Sequence, residues 1–298
     1  MEPQWDDMKI FLAVAREQSL SGAGRVLKLD PATAGRRIAR LEAAMKVALF
    51  VKSPQGYTLS AAGERMLEYG EQAEAAMRAA SHALDGPSES LSGQVRIGAP
   101  DGCANFLLPQ VCTRISAENP DLDIQIVALP RVINLSRREA DMAITVSQPT
   151  ARQLLVEKIT DYRLSLAASR GHLRKVGPVE TLADLQGRHL VGYIPDMIFD
   201  AELDYLTDLG VARVQLASNS VSVQLKMIVS GAGLGVVPDF TLPAHGRLRK
   251  ILADQVSLTR SFYLVRHQSD QRSARLNRFA DSLCAGLREE VRRLEGPA

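Results

Sequence analysis

The sequence predicts a mixed α/β protein with a small helical head, one long helix and a larger C-terminal α/β domain. Three observations indicate this division. Apolar residues recur at helical spacing through the first 45 positions, a long helical pattern occupies 61–84, and short apolar runs alternate with helical patterns after position 92. The 298 residues, 46% hydrophobic and 23% charged, suffice to bury the cores of two or three compact units.

The first two helices of the head are predicted at 5–17 and just after 19–21. In the first, Met8, Phe11, Leu12 and Ala15 form an apolar stripe. The second follows hydroxyl caps and ends near the Lys-Leu turn at 28–29. The pattern therefore predicts a pair of short helices, each with a buried face.

A third helix is predicted to begin at Pro31 with Asp30 as its N-cap. Proline lacks a backbone N–H, but at the first helical position that N–H would have no partner within the helix, so its absence costs nothing there. Its packing face consists of Ala34, Ile38, Leu41 and Met45, and its polar face of Thr33, Arg36, Arg37 and Arg40. A helix pair whose second helix carries a basic stripe fits a DNA major groove. A solvated helix surface is the alternative interpretation of the same arginines.

Positive charge is concentrated in this head. Between Lys9 and Lys52, nine lysines and arginines stand against three acids, a net charge of +6. Between Ser53 and Ser90, two arginines stand against six acids, a net charge of −4. A positive head suits a phosphate backbone, and the acidic segment is expected to point elsewhere.

Five segments of the head follow one known pattern in order and without gaps. They are FLAVA at 11–15, SLS at 19–21, RRIARLE at 36–42, LF at 49–50 and TLSAAG at 58–63. In this the head resembles the DNA-binding domain of the LysR-type transcriptional regulator family. The resemblance implies a winged helix-turn-helix over 3–60, with the tip of a two-stranded wing at 53–56.

The resemblance implies double-stranded DNA as a partner, with a pseudopalindromic operator. Arg36 and Arg37 suit guanine edges or phosphates, and Thr33 suits a base edge or a thymine methyl group. The expected DNA-binding residues are Ser19, Ser21, Pro31, Ala32, Thr33, Gly35, Arg36, Arg37, Arg40, Lys52, Ser53 and Gln55.

Three positions depart from the family pattern. Asp-Pro-Ala at 30–32 replaces the common Ser-Gln-Pro, which removes a glutamine that often contacts a base but retains the cap. Gly35 costs up to about 1 kcal/mol relative to alanine and is expected to let the backbone approach DNA closely. Lys46 stands where glycine is common, and it is strained there if the position has a positive φ. The operator preference of relatives therefore does not carry over.

The long helix is predicted to carry a heptad seam over the linker 61–86. Its residues are Met66, Gly70, Ala73, Met77, Ala80 and Leu84. The small residues would let two such helices approach closely, and the glutamates are expected to point outward and keep the stalk away from DNA. The resemblance implies a dimerising helix, hence a homodimer or homotetramer. Packing of the seam on the chain's own C-terminal domain is the alternative.

The C-terminal domain shows α/β rhythm. Strands are predicted at 95–98, 124–127, 142–146, 164–168, 190–193, 214–216, 234–237 and 262–265. This alternation predicts largely parallel sheets flanked by helices. In such folds ligands bind beyond the carboxyl ends of the strands.

Three segments of this domain, at 91–98, 138–144 and 230–238, resemble the effector-binding domain of the same family. The resemblance implies a periplasmic-binding-protein-like domain over 91–298. Subdomain I is expected to comprise 91–163 and 266–298, and subdomain II to comprise 164–265, with crossings near Leu164 and Phe262. A small-molecule effector is expected between the two subdomains.

The expected effector contacts follow from the family's cleft. They are Pro100, Asp101, Gly102, Cys103, Leu129, Pro130, Thr145, Val146, Ser147, Pro195, Asp196, Met197, Ser218, Ser220 and Ser222. A helix N-terminus after the first loop favours an anion. Asp101, however, occupies the donors that a ligand acid needs, which leaves room for a neutral or cationic effector. The three serines suit either donation to a carboxylate or capping of the helix that begins at 221.

The chain offers few signs of other functions. No apolar run approaches the roughly 20 residues that cross a bilayer, and the N-terminus is acidic where a secretion signal is basic, so a cytoplasmic location is expected. Cys103, Cys112 and Cys284 lack the spacing of a zinc site or disulfide framework, and the five histidines lack metal-ligand pairing. We therefore expect no metal and no cofactor.

An enzyme is not expected, because no Ser-His-Asp arrangement, GxSxG elbow or P-loop is present. The rival hypothesis is an enzyme or ligand-binding module whose N-terminal helices contact another protein. Cys103 as a redox sensor is a further alternative, since a thiol at a helix N-terminus tends to ionise. The partners to consider are DNA, the effector, a second copy of the chain and RNA polymerase.

Overall fold

In the computed structural model the described residues are 4–53, 56–83, 91–128, 135, 140–151, 153–211 and 213–296. The chain forms two compact units, Met1–Ser88 and Glu89–Ala298. The predicted contacts Gln55, Leu129 and Pro130 lie outside the described residues, as does Leu84 of the predicted seam.

The first unit is a winged helix-turn-helix followed by a long helix, as predicted. The wing is an antiparallel hairpin in which Phe50 pairs with Leu59 and Ser53 with Gly56. The elements are α1 (Trp5–Glu17), α2 (Leu20–Leu27), α3 (Pro31–Met45), β1 (Phe50–Ser53), β2 (Gly56–Leu59) and α4 (Ala61–Ala83).

Both ends of α3 follow the local rules read from the sequence. The Asp30 carboxylate accepts hydrogen bonds from the backbone N–H groups of Ala32 and Thr33, at 3.0 and 3.2 Å. This satisfies two of the amides that a helix start leaves without intrahelical partners. Lys46 ends the helix with φ 55°, so lysine takes the left-handed conformation that glycine adopts more easily.

The core of the first unit is built from α1, α3 and the wing. Phe11, Ile38 and Leu41 are almost completely buried, and the rings of Phe11 and Phe50 lie 5.3 Å apart. Full burial of one such side chain contributes roughly 1.5–3 kcal/mol. The packing face of α3 predicted from periodicity is therefore confirmed, except that Met45 is 37% exposed.

The first half of α4 packs on α1 of the same chain. A Cβ atom on Gly70 would lie 3.0 Å from both Leu12 and Met8, so this glycine allows a close helix contact within the unit. Arg16 of α1 donates a 2.7 Å hydrogen bond to Glu74. The expectation that Gly70 faces a second copy and that the glutamates point outward is therefore wrong for Gly70, Glu71 and Glu74, which face α1, whereas Glu64 and Glu68 are exposed as expected.

The second unit contains a mixed sheet of seven described strands. The strands are β3 (Gly93–Ala99), β4 (Leu122–Ala128), β5 (Met142–Thr145), β6 (Leu154–Ser169), β9 (Leu234–Pro238), β10 (Leu248–Lys250) and β11 (Leu258–His267). Their order in the sheet is β10-β6-β11-β5-β3-β4, with β9 also paired to β6.

The prediction of largely parallel sheets is wrong for this sheet. Only β3 runs parallel to its neighbours, β4 and β5, whereas the other four described pairings are antiparallel. The physical reason is that β6 and β11 are long strands that run in opposite directions side by side, with a register shift between Phe262 and Tyr263. Residues 170–257, with several short strands and helices, separate these two neighbours in the chain, so the alternation of strand and helix patterns does not show their relative direction.

Residues 170–257, here called the inserted segment, connect β6 to β11. The predicted strands at 190–193 and 214–216 are only a two-residue parallel pair, β7 (Val191–Gly192) with β8 (Leu216–Ala217). Between them lie three short 3-10 turns at Pro195–Met197, Ala201–Leu203 and Thr207–Leu209. This stretch therefore has little regular backbone hydrogen bonding to stiffen it.

The helices of the second unit flank this sheet. α9 buries Phe279, Leu283 and Leu287 against it. The helices are α5 (Asp101–Phe106), α6 (Leu108–Glu118), α7 (Arg170–Val176), α8 (Val221–Val229) and α9 (Ala274–Glu295). Within the described parts of both units, no helix has the length and apolar character that a membrane crossing requires.

Candidate nucleic-acid interface and ligand cleft

The outer surface of α3 presents Arg36. Pro31, Ala32 and Arg36 are exposed, and Thr33 is half-buried. The Arg36 guanidinium donates a 3.0 Å hydrogen bond to the Thr33 hydroxyl, one helical turn away. Among the described residues no carboxylate lies within ion-pair distance of Arg36, so its charge is available to a phosphate or a base edge.

Arg40 is held differently, by the buried carboxylate of Asp7. Asp7 on α1 is only 2% exposed, and Arg40 Nε donates to its Oδ2 at 2.7 Å while Arg40 Nη2 donates to its Oδ1. Arg37 Nη1 lies 3.6 Å from the same carboxylate. The hydrogen bond with Asp7 raises the pKa of Arg40. The predicted basic stripe therefore divides into Arg36, which faces outward, and Arg40, which ties α3 to α1.

Two other predicted contact residues have structural partners. A Cβ atom on Gly35 would lie 3.2 Å from Leu20, so the glycine faces α2 and serves the packing between the two helices. Ser19 caps α2 by accepting a 3.2 Å hydrogen bond from the Gly22 N–H, whereas Ser21 is exposed.

The wing is fixed to the turn between α1 and α2. Tyr57 donates its backbone N–H to the Gln18 carbonyl at 3.0 Å. A Cβ atom on Gly56 would lie 2.5 Å from the same oxygen, so only glycine fits this close approach. Lys52 is exposed, with its ammonium 5.8 Å from the centre of the Tyr57 ring. Lys52 and Ser53 thus extend from a hairpin that the head holds in place.

In the second unit, Asp101 joins the N-termini of two helices. It begins α5, and its Oδ2 accepts three hydrogen bonds from the start of α8 in the inserted segment. The donors are the Ser220 hydroxyl at 3.1 Å, the Ser222 backbone N–H at 2.8 Å and the Ser222 hydroxyl at 2.9 Å. Ser220 therefore both caps α8 and donates to a carboxylate, Ser222 donates to the same carboxylate, and that carboxylate belongs to the chain itself.

A second hydroxyl–carboxylate pair spans the same boundary. Ser147 follows β5 and donates a 2.5 Å hydrogen bond to Asp200 of the inserted segment. The hydroxyl of Thr145 donates to the Ser147 carbonyl at 2.7 Å, which fixes this loop. Asp101 and Asp200 thus approach the boundary from opposite sides.

The other predicted effector residues are more scattered. Ser218 accepts the Ser220 N–H at 3.2 Å and so supports the cap of α8. Pro195, Asp196 and Met197 form an exposed 3-10 turn, of which Pro195 lines a cavity.

A small cavity between α5, α8 and the crossing strands is walled by aromatic rings. Its volume of about 20 Å³ holds about one water molecule. Tyr162 stacks on Phe262 at 4.2 Å, and Tyr193 meets Tyr205 edge-on at 5.9 Å. Burial raises the pKa of Tyr162 and Tyr193 well above the ordinary value and that of Tyr205 to about 12, so all three phenols are neutral at pH 7.

Sequence reasoning missed a larger cavity inside the inserted segment. Its volume is about 490 Å³, in the range of small-molecule sites, and it shares Tyr193, Leu203 and Tyr205 with the small cavity. The walls come from short turns with irregular spacing, so no periodic pattern marked them. The lining is mixed: Val191, Ile198, Leu206, Val211 and Val214 supply apolar walls, and Asp204, Arg213 and Gln224 supply polar groups.

The cysteines are buried. Cys103 is 1% exposed, and burial raises the pKa of its thiol, which opposes the ionised form that peroxide sensing needs. Burial likewise raises the pKa of Cys112 to about 11 and that of Cys284 to about 12. Among the described residues, no group of three His, Cys, Asp or Glu is placed to hold a metal ion.

Taken together, the winged head with an outward arginine and the two-part domain with cavities define a DNA-binding protein with a ligand-binding domain. Residues 5–64 match the family described as bacterial regulatory helix-turn-helix protein, lysR family, and residues 88–288 match the LysR substrate binding domain. The chain belongs to the LysR family of transcriptional regulators. It is thus a DNA-binding regulator with an effector-binding domain, and the resemblance seen in the sequence is confirmed.

Known proteins resemble the chain over nearly its full length. The HTH-type transcriptional regulator PtxR of Pseudomonas aeruginosa is 24% identical over 292 residues, 95% of this chain and 93% of PtxR. A full-length OxyR variant from Pseudomonas aeruginosa has a TM-score of 0.74 at 16% identity, covering 97% of this chain and 95% of its own. Full-length LysG from Corynebacterium glutamicum, with bound effector Arg, has a TM-score of 0.65 at 16% identity, covering 96% and 98%. At these identities the two structures show the fold.

Replacing Arg40 tests its structural role. Arg40→Ala leaves the buried Asp7 carboxylate without its main partner, so we expect a lower melting temperature of the first unit. The fluorescence of Trp5, the single tryptophan, reports that transition in the full chain. Arg36→Ala removes the same charge from an exposed site and should melt like the parent protein. Adding Asp7→Asn to Arg40→Ala should restore part of the loss. Equal melting of the two single arginine variants would contradict the assignment.

Thiol labelling tests the buried state of the cysteines. At pH 8 a thiol of pKa about 11 is ionised to about one part in a thousand, so the native protein should react very slowly with a disulfide reagent. Unfolding in guanidinium should release three reactive thiols. Ser116→Cys, on the exposed side of α6, supplies a reference for an accessible thiol. A native cysteine that reacts as fast as this reference would refute the prediction.

Proposed function

We propose that α3 reads the DNA major groove with Arg36 and Thr33, while the wing contacts the backbone through Lys52, Ser53 and Gln55. The observation that carries this assignment is the exposed Arg36 guanidinium, which no described carboxylate neutralises and which the Thr33 hydroxyl orients. Pro31, Ala32, Ser21 and Arg37 lie around it as further contacts. Arg40, Gly35 and Ser19 support the surface from behind.

We propose that two copies of the chain pair through the second half of α4. Met77 is 56% exposed and Ala80 is exposed on the same helix, beyond the positions that α1 covers. The resulting homodimer, or a tetramer built from two dimers, presents two heads to a pseudopalindromic operator. RNA polymerase is the further partner we assign at the promoter.

We propose an effector site where the inserted segment meets α5 and β5. The hydrogen bonds from Ser220 and Ser222 to Asp101 and from Ser147 to Asp200 cross this boundary, so a ligand that displaces them changes how the two parts meet.

We also propose the domain limits 3–60, 61–86 and 91–298. Chromosomal DNA as target places the regulator in the cytoplasm, and we assign it no catalytic reaction.

DNA binding by Arg36→Ala tests the proposed surface. Fluorescence anisotropy with a labelled fragment of the protein's own promoter region, at several salt concentrations, measures affinity and its salt dependence. Loss of a bidentate base contact costs about 1–3 kcal/mol, so affinity should fall about 5- to 150-fold. Arg65→Ala, on the exposed side of α4, removes the same charge and should bind like the parent. Full-strength binding by Arg36→Ala would show that α3 is not the reading helix.

A further inference from the structure

The small cavity beside α5 and α8 has an uneven chemistry. Of the described residues that line it, Asp101 is the sole charged one. Six others are aromatic: Tyr162, Tyr193, Phe199, Tyr205, Phe240 and Phe262. A site with one carboxylate and several ring faces differs from the basic or amide-rich sites that hold carboxylates.

An anionic ligand is disfavoured at this position. The donors it would use at the start of α8 already serve Asp101, whose oxygen lies within 3.1 Å of three of them. A carboxylate on the same chain competes at a high effective concentration. The charges of Asp101 and Asp200, one from each side, would also repel a second anion.

A cation is favoured by the same groups. Ring faces attract ammonium groups within about 6 Å, and the attraction grows where water is excluded. The chain already places one cation on this cluster: the Arg260 guanidinium lies 5.9 Å from the centre of the Tyr205 ring, with Glu202 at 2.6 Å from its Nε. The ring cluster therefore tolerates a positive charge when a carboxylate accompanies it.

We infer that the effector of this regulator carries an ammonium group, which binds the Asp101 carboxylate against the ring faces of the tyrosines. The inference rests on the proposed effector site and names the chemical class of its ligand. The ammonium replaces the hydroxyl donors of Ser220 and Ser222 at the same carboxylate. Binding thereby releases the contact that holds α8 to α5.

The ligand also has an apolar body. The small cavity holds about one water molecule, so an amine enters only when its wall moves. That wall, formed by Tyr193, Leu203 and Tyr205, is shared with the 490 Å³ cavity. Tyr193 is half-buried and lies in the stretch of short 3-10 turns. Rotation of its ring joins the two cavities and gives an apolar group space beside the charged end.

Three probes of similar shape test the charge of the ligand. They are 2-phenylethylammonium, the neutral 2-phenylethanol and the anionic phenylacetate, each titrated calorimetrically into the purified full chain at pH 7.5. The parent protein should bind the ammonium probe about tenfold or more tightly than the other two, because only this probe forms a charge-assisted hydrogen bond with Asp101.

Variants separate charge from folding. Asp101→Asn should weaken the ammonium probe about tenfold or more and strengthen phenylacetate, a reversal that a merely structural role would not produce. Asp254→Asn removes one charge from an exposed position elsewhere in the inserted segment and should leave both affinities unchanged. Ser222→Ala removes a competing donor and should tighten the ammonium probe.

Some outcomes overturn the inference. They are no ammonium binding to the parent, tighter binding of phenylacetate than of the ammonium probe, or equal ammonium binding by Asp101→Asn. Promoter binding by the same preparations distinguishes a wrong ligand class from a wrong proposed function. If promoter binding persists, the ligand class is wrong and the regulator stands, whereas loss of promoter binding from the parent protein would concern the proposed function itself.

Discussion

The contact between α5 and α8 in the effector domain depends on one carboxylate. Asp101 lies at the start of α5, yet three of its hydrogen bonds come from the start of α8, which belongs to the inserted segment about 120 positions further along the chain. Helix starts attract anions, and here the chain supplies the anion itself. Separation of α8 from α5 would therefore expose a carboxylate and a set of unsatisfied donors together. That cost favours the contact between α5 and α8 that the structure shows.

In the head, too, a carboxylate of the chain pairs with groups that a ligand could otherwise use, but there the paired groups are cationic. Asp7 on α1 is buried and takes up Arg40, with Arg37 at the edge of its reach, so the chain neutralises part of its own basic surface. The pairing fixes the angle between α1 and α3, because a buried carboxylate without its arginine is costly. Arg36 is the arginine of α3 for which the described residues supply no carboxylate, and its guanidinium is hydrogen-bonded to the Thr33 hydroxyl on the outer face. In each unit an internal carboxylate decides which charged groups are left for a partner.

Sequence reasoning succeeded where structure is set by neighbours in the chain. The cap at Asp30, proline at the helix start, the positive φ of Lys46 and the three head helices all follow from local rules. It failed where the partner is distant. Gly70 and Gly35 pack inside the head, β6 and β11 pair antiparallel, and the 490 Å³ cavity is walled by irregular turns, none of which leaves a periodic trace. Asp101 was singled out from the sequence, but its serine partners lie too far along the chain to be assigned to it.

Amide hydrogen exchange at the start of α8 tests the central claim most directly. The Ser222 N–H donates to Asp101 at 2.8 Å, so its exchange should be slow in the parent protein. In Asp101→Ala we predict severalfold faster exchange over the first turn of α8, with α9 unchanged, because removal of the carboxylate frees that amide. Identical exchange of this turn in the two proteins would show that Asp101 does not hold the inserted segment in place, and the account of the cleft would fail.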